Sequence, residues 1–133
     1  MNNQLQKILH VDDDPVMRMM TKKALERARM GFDVVSCASA HELIDQLSQF
    51  GPDLLLVDMI MPIMDGLSLV AHIRSLSTPL AQTPVIFITG RTDTNINGRE
   101  KLEPILGIIH KPFSPTTLGS DLVDLWNVWA KEM

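Results

Sequence analysis

The run Leu54-Leu55-Leu56-Val57 ends in Asp58, and Ile8-Leu9-His10-Val11 ends in Asp12, Asp13 and Asp14. Four apolar residues in a row read as a strand buried on both faces, so an acid closing such a run stands at the rim of a sheet, where polar chemistry is possible. Two further runs end in reactive groups: Val85-Ile86-Phe87-Ile88 in Thr89, and Leu106-Gly107-Ile108-Ile109-His110 in Lys111. Taken singly, each has a plain structural explanation, since an acid after a strand commonly forms a turn or caps a helix. Together they read as one chemistry. Carboxylates crowded at neutral pH are favourable with a cation, and hard oxygen ligands with room for water suit Mg2+ or Mn2+. An ion held this way leaves positions for phosphate oxygens. Lys111 can neutralise another oxygen, and the Thr89 hydroxyl can hydrogen-bond a third. Asp58 is then the candidate nucleophile, because a carboxylate can attack phosphorus and carry the group as an aspartyl phosphate. Positioning and charge neutralisation supply most of the catalysis in phosphoryl transfer, and this set offers both.

The elements that must hold these residues can be read along the chain. Asp14-Pro15 starts a helix, proline at the first helical position losing no needed hydrogen bond, and Val16, Met20, Ala24 and Ala28 give its apolar stripe as far as Gly31. Val34-Val35-Ser36-Cys37 is the next strand. Ser39 with Glu42 three residues on predicts a capping box for a second helix, whose Leu43, Ile44 and Leu47 face inward until Gly51-Pro52. After Asp58, Pro62 and Gly66 mark a loop, and Leu67, Val70, Ile73 and Leu76 a third helix. A fourth helix is expected between Thr92 and Leu106, weakened by Gly98 and stopped by Pro104. Ser114-Pro115 is expected to open a last helix with Leu118, Leu122, Leu125, Trp126 and Trp129 inward.

Five uniformly apolar strands alternating with five helices imply a single three-layer α/β domain, doubly wound around a five-stranded parallel sheet. It is expected to fill residues 1–133, with a core from about 6 to about 131. In such sheets ligands bind beyond the carboxyl ends of the strands, where strand order reverses. A domain of 133 residues buries enough surface to need no disulfide or structural metal, and the single Cys37 has no partner within the chain. The first residues lack the basic and apolar regions of a signal peptide, and no apolar run approaches the roughly 18 residues of a membrane span. A cytoplasmic protein without membrane association is therefore expected. The formal charge of −4 argues against nucleic acid as a direct partner. His10, His41, His72 and His110 show no paired spacing and are expected in structural or surface roles rather than as metal ligands.

Four pieces occur in order between residues 8 and 113: Ile8-Leu9-His10-Val11-Asp12-Asp13-Asp14-Pro15; Leu56-Val57-Asp58-Met59 with Met61-Pro62-Ile63-Met64-Asp65-Gly66; Ile88-Thr89-Gly90; and Lys111-Pro112-Phe113. In this combination the chain resembles the receiver domains of response regulators in two-component signalling, of the chemotaxis type. The resemblance implies the flavodoxin-like strand order 2-1-3-4-5. It further implies Asp58 as phosphoacceptor, Asp13 as a direct metal ligand, Asp12 as a ligand acting partly through water, and the backbone carbonyl of Ile60 as another. Thr89 and Lys111 would bind the phosphoryl group and take part in switching, and Lys111-Pro112 would be a cis peptide. The donor would be a sensor histidine kinase or a histidine phosphotransfer protein. Output would be altered binding to a downstream protein, or a homodimer through the face of the fourth helix, fifth strand and fifth helix. The chain ends one helix after Lys111, so no output domain is expected. Such a domain is a switch that assists its own phosphorylation and dephosphorylation, not an enzyme acting on other substrates.

Some positions depart from that pattern or bear on its kinetics. Ile108 stands three residues before Lys111, where receivers commonly carry an aromatic ring that swings inward; the signal is then expected to pass through another packing change on the fourth and fifth strands and their helices. The expected fourth helix lies on the same surface and is expected to be mobile and partner-dependent. Ile60 and Arg91, each two residues past a site residue, flank the path of attacking water, so slow loss of the phosphoryl group is expected. Other functions fit parts of the chain. An interaction module of the same fold that does not use phosphorylation is favoured by Ile108. A phosphohydrolase of haloacid-dehalogenase type would use Asp12 and Asp14 and leave Asp58 idle. A flavodoxin-like electron carrier fits the topology, but no Ser/Thr/Gly-rich phosphate loop follows the first strand.

Overall fold

The computed structural model describes residues 4–90 and 99–132. Its strands are β1 (Lys7–Val11), β2 (Asp33–Cys37), β3 (Leu54–Asp58), β4 (Val85–Thr89) and β5 (Ile105–His110). Its α-helices are α1 (Pro15–Arg27), α2 (Ala40–Phe50), α3 (Gly66–Arg74) and α4 (Leu118–Lys131), with 3-10 turns at Pro79–Gln82 and Arg99–Lys101. All pairings are parallel, in the order β2-β1-β3-β4-β5, as expected. Alternate strand residues face opposite layers. Leu9, Val11, Leu55, Val57, Val85 and Phe87 form one core with Leu43 and Leu47 of α2 and Leu69, Val70 and Ile73 of α3. Their neighbours Ile8, Leu54, Leu56, Ile86 and Ile88 form the other with Ala24 and Leu25 of α1 and Leu118, Leu122 and Trp126 of α4. Burial on both sides is why β3 and β4 carry no interior polar residue.

Four α-helices are present among the described residues where five were expected. Of the helix expected between Thr92 and Leu106, residues 92–98 lie outside the described residues, as does the expectation of mobility there, and residues 99–106 form no α-helix. Its described end is the 3-10 turn at Arg99–Lys101. The last strand begins at Ile105, because the Val85 amide donates to the Pro104 carbonyl at 3.0 Å and draws the chain into the sheet there. The last helix begins later than Ser114-Pro115. The amides of Thr117 and Leu118 donate to the Ser114 carbonyl at 3.2 and 3.0 Å, making a turn that leads into α4. At α2, Ser39 accepts from the Glu42 amide at 3.1 Å as expected, but the Glu42 carboxylate returns to the amide of Ala38, one residue before the cap. No described helix is long and apolar enough to cross a membrane.

Two side chains not assigned a task by the sequence hold the frame. Arg74, closing α3, donates from Nε to the Leu102 carbonyl, from Nη1 to those of Ala81 and Thr83, and from Nη2 to that of Pro104. Its planar fork thereby ties α3 to the entries of β4 and β5. Burial lowers its pKa to about 10, against an opposing effect of Glu103. His10 is fully buried on β1, with Nδ1 2.9 Å from Ser36 Oγ on β2. Burial brings its pKa down to about 4, outweighing the upward pull of Asp12, with Lys111 and Arg18 adding to the fall.

His10 makes the folded chain sensitive to acid. The unfolded chain takes up a proton near 6.5, while the folded chain resists until about 4, so this stabilisation is present above the unfolded pKa and is lost as pH falls. The loss reaches about 3 kcal/mol between about pH 7 and pH 4. In metal-free protein, His10→Leu is expected to flatten that acid sensitivity, measured as urea unfolding free energy at about pH 7 and pH 4.5. An equal pH dependence in both proteins would contradict it.

Candidate functional site

The register of β1 against β3, with Ile8 opposite Leu54 and Val11 opposite Val57, brings the ends of these strands side by side. Asp12 and Asp58 therefore meet although far apart in sequence; both are buried, and Asp13 beside them is exposed. Oxygens of Asp12, Asp13 and Asp58 lie within 4.8 Å of one another. Lys111, just past β5, donates from Nζ to Asp12 Oδ2 at 3.1 Å and to Asp58 Oδ2 at 3.2 Å. Its own amide donates to the Thr89 carbonyl at 2.7 Å, and the Lys111–Pro112 peptide is cis.

Backbone donors set the carboxylates in place. The Ile60 amide donates to Asp58 Oδ1 at 3.1 Å, and the Asp14 amide to Asp12 Oδ1 at 2.9 Å. Arg18 donates to the Asp12 carbonyl at 2.8 Å. The loop after Asp58 is fixed at both ends: the Met59 amide donates to the Ile88 carbonyl at 2.8 Å, and the Gly66 amide to the Met59 carbonyl at 3.0 Å. Gly66 was read only as a loop marker. In the structure a Cβ there would lie 2.5 Å from the Asp58 carbonyl oxygen and 2.9 Å from Met59 Cα, so glycine permits α3 to start against the acid's own backbone.

Burial pushes the Asp58 carboxyl above its usual range; the Ile60 amide and Lys111 pull it back in part, and Asp12 adds to the rise. Burial alone would lower the Lys111 pKa, but Asp58 and Asp12 outweigh it and hold the ammonium above the ordinary lysine value. Lys111 therefore stays charged at neutral pH. The donor set is entirely oxygen, with three carboxylates against one ammonium and Asp13 open to solvent, which suits Mg2+ or Mn2+ rather than a softer metal.

The remaining expected site residues fall as follows. Thr89 is buried at the end of β4, one residue past Ile88, which is the register partner of Asp58. Ile60 is exposed at 47%. Ile108 stands opposite Phe87 and packs, half-buried, on the α2–α3 core. Arg91 lies outside the described residues. Asp14 caps α1, accepting from the amides of Val16 and Met17 at 2.9 and 3.3 Å. Arg18 was not foreseen at the site; only its place one turn into a helix that starts beside Asp12 could have signalled it.

Fold and site together define a doubly wound α/β domain with an acid-and-lysine pocket at the carboxyl rim of its sheet. The family model for the Response regulator receiver domain matches residues 8–122, and the chain belongs to that family. The transcriptional regulatory protein TrcR of Mycobacterium tuberculosis is 33% identical over 85 residues, covering 64% of this chain and 31% of TrcR. The DNA-binding response regulator MtrA of Mycolicibacterium smegmatis is 29% identical over 125 residues, covering 89% of this chain and 49% of MtrA. The chain thus spans about a third to about half the length of these curated relatives. Among solved structures, the chemotaxis response regulator CheY4 of Vibrio cholerae matches with a TM-score of 0.77 at 28% identity, over 92% of this chain and 99% of its own. A CheY-like receiver from Methanospirillum hungatei matches with a TM-score of 0.75 at 26% identity, over 98% and 100%. Receiver domains are the signalling switches of two-component systems, and this chain is one of them.

Proposed function

We propose that Asp58 accepts a phosphoryl group from a phosphohistidine of a sensor histidine kinase or phosphotransfer protein, in a Mg2+-dependent reaction. The observation that carries this reading is the single Lys111 ammonium bridging Asp12 and Asp58 beside Asp13. An Asp58 oxygen forms the new P–O bond as the donor P–N bond breaks; the electron pair stays on the donor imidazole, which takes a proton from solvent. Lys111 stabilises negative charge on the transferred oxygens, and the Thr89 hydroxyl donates to one of them. Asp12, Asp13, Asp58 and the Ile60 carbonyl would hold Mg2+ or Mn2+, which when bound supplies neutralisation of the phosphoryl charge. The hydrolase reading loses support because its second acid, Asp14, is engaged as a helix cap. The donor has apolar surface to dock on beside the site, where Val16 and Met19 of α1 are exposed.

The phosphorylated chain signals by changing which proteins it binds, in the cytoplasm, where its donors act. With Ile108 in place of a ring, the change passes through β4, β5 and α4, whose groove is lined by Ile108, His110, Phe113, Asp121 and Leu125. Amide spectra during titration with Mg2+ and beryllofluoride test the reading. Shifts at Asp12, Asp13, Asp58 to Ile60 and Lys111 that spread into β4 and β5 are expected; an unresponsive spectrum would favour the phosphorylation-independent module. Water regenerates the free carboxylate by attacking phosphorus, and the branched Ile60, exposed two residues past Asp58, would restrict its approach. Ile60→Asn is expected to shorten the phosphoryl lifetime severalfold, followed by loss of label after the donor is removed. An unchanged lifetime would contradict this role.

A further inference from the structure

Beyond the phosphoryl site, a cleft of about 400 Å³ opens between the start of α2 and the loop after β3, its lining including Asp13, Ala38, His41, Ile44, Met61 and Ile63. Its lip is unusual. Ile63 is β-branched yet held at φ 71°, and the Met64 amide donates to the Pro62 carbonyl at 2.7 Å, closing a three-residue turn of the strained, left-handed kind. That turn leaves the Ile63 side chain fully in solvent. A sequence selected for stability alone would place glycine or asparagine there. An apolar side chain kept in water on a strained turn points to something that covers it.

The charge around the cleft says what kind of partner. From Met30 to Ile73 the chain contains no lysine or arginine, while Asp13 lines the cleft and Glu42 and Asp45 stand on α2, which forms one of its walls. Asp45 pairs with the cleft residue His41 at 3.5 Å, and both are exposed. Helix α1 has the opposite character, with Arg18, Lys22, Lys23 and Arg27. No strand among the described residues lines the cleft, and two of its backbone donors are taken, the Ala38 amide by Glu42 and the Met64 amide by Pro62. An extended peptide would find no ladder to join, whereas a helix brings its own backbone bonds satisfied.

We propose that this cleft is a docking groove for a basic amphipathic helix of a partner protein, whose apolar side chain seats against Ile44, Met61 and Ile63 while its lysines or arginines face Asp13 and Asp45. The inference does not depend on phosphorylation of Asp58, and metal-free, unphosphorylated protein tests it. The probe is a synthetic leucine–lysine amphipathic helix, with a glutamate-for-lysine version as control, followed by amide spectra. Saturable shifts confined to Ala38–Ile44 and Met61–Met64, about tenfold weaker or absent with the glutamate version, are expected. Ile63→Gly separates docking from folding. It relieves the strained turn, so its melting temperature is expected to rise while its affinity for the probe falls about tenfold. Equal binding of both peptides, shifts centred on α1 or α4, absence of saturable binding, or wild-type affinity in Ile63→Gly would each overturn the proposal.

Discussion

Asp58→Asn is expected to take up no phosphoryl label from acetyl phosphate, phosphoramidate or a kinase, at any Mg2+ concentration, while keeping the fold. The amide that replaces the carboxylate is not a nucleophile toward phosphorus, and Asp12, which likewise accepts from a backbone amide and from Lys111, is assigned to the metal rather than to the phosphoryl group. The same substitution carries a second, opposite readout. Burial holds the Asp58 carboxyl above its usual range, so the folded state binds that proton more tightly than the unfolded state. Stability from this group then falls as pH rises from the unfolded value through the raised folded one. Removing the charge is therefore expected to raise the melting temperature at neutral pH, by a margin that shrinks as the solution is acidified through the carboxylate range. Lys111 keeps Asp12 as its partner at 3.1 Å, so the ammonium is not stranded. A variant both inactive and more stable marks a group kept for chemistry. Retained labelling, or a neutral-pH loss of stability, would contradict this assignment.

Gly66→Ala is expected to disturb fold and site together. The added Cβ would meet the Asp58 carbonyl oxygen at 2.5 Å and Met59 Cα at 2.9 Å, and neither is the end of a flexible side chain. Overpacking against backbone costs about 3 kcal/mol or more, and the better helix propensity of alanine offsets at most about 1 kcal/mol of it. A net loss of about 2 kcal/mol lowers the melting temperature by roughly 8 °C in a domain of this size. Relief requires α3 to move off β3, which breaks the bond from the Gly66 amide to the Met59 carbonyl and loosens the loop carrying Ile60. Phosphorylation by acetyl phosphate is expected to slow in the folded fraction. Wild-type melting and wild-type labelling would show that the close approach is not needed.

The sheet and its rim were legible because burial on both faces forces uninterrupted apolar runs, and the polar residues that end those runs then stand out. Asp12, Asp13, Asp58, Thr89 and Lys111 announce themselves that way. The capping function of Asp14 was equally readable, since Asp-Pro is a local signal. Arg74 was not, because its acceptors at Ala81, Thr83, Leu102 and Pro104 are backbone carbonyls that leave no trace in residue type. Nor was the pairing of His10 with Ser36, which depends on the β1–β2 register. The role of Gly66 was half legible: Asp65-Gly66 marks a turn, but only packing shows that the Asp58 carbonyl occupies the space a side chain would need. The true start of α4 was missed because Ser114-Pro115 makes a good local cap, while the turn through Thr117 and the buried Leu118 decides where α4 begins.

Locating the acyl phosphate is the most direct test of whether Asp58 is the phosphoacceptor. Wild-type protein is incubated with phosphoramidate and Mg2+, reduced with borohydride to convert any aspartyl phosphate to homoserine, and sequenced by mass spectrometry. Homoserine at position 58 alone, and none when Mg2+ is replaced by a chelator, is the predicted result. Homoserine at position 12, or none at any position under conditions where a known receiver is modified, would contradict it.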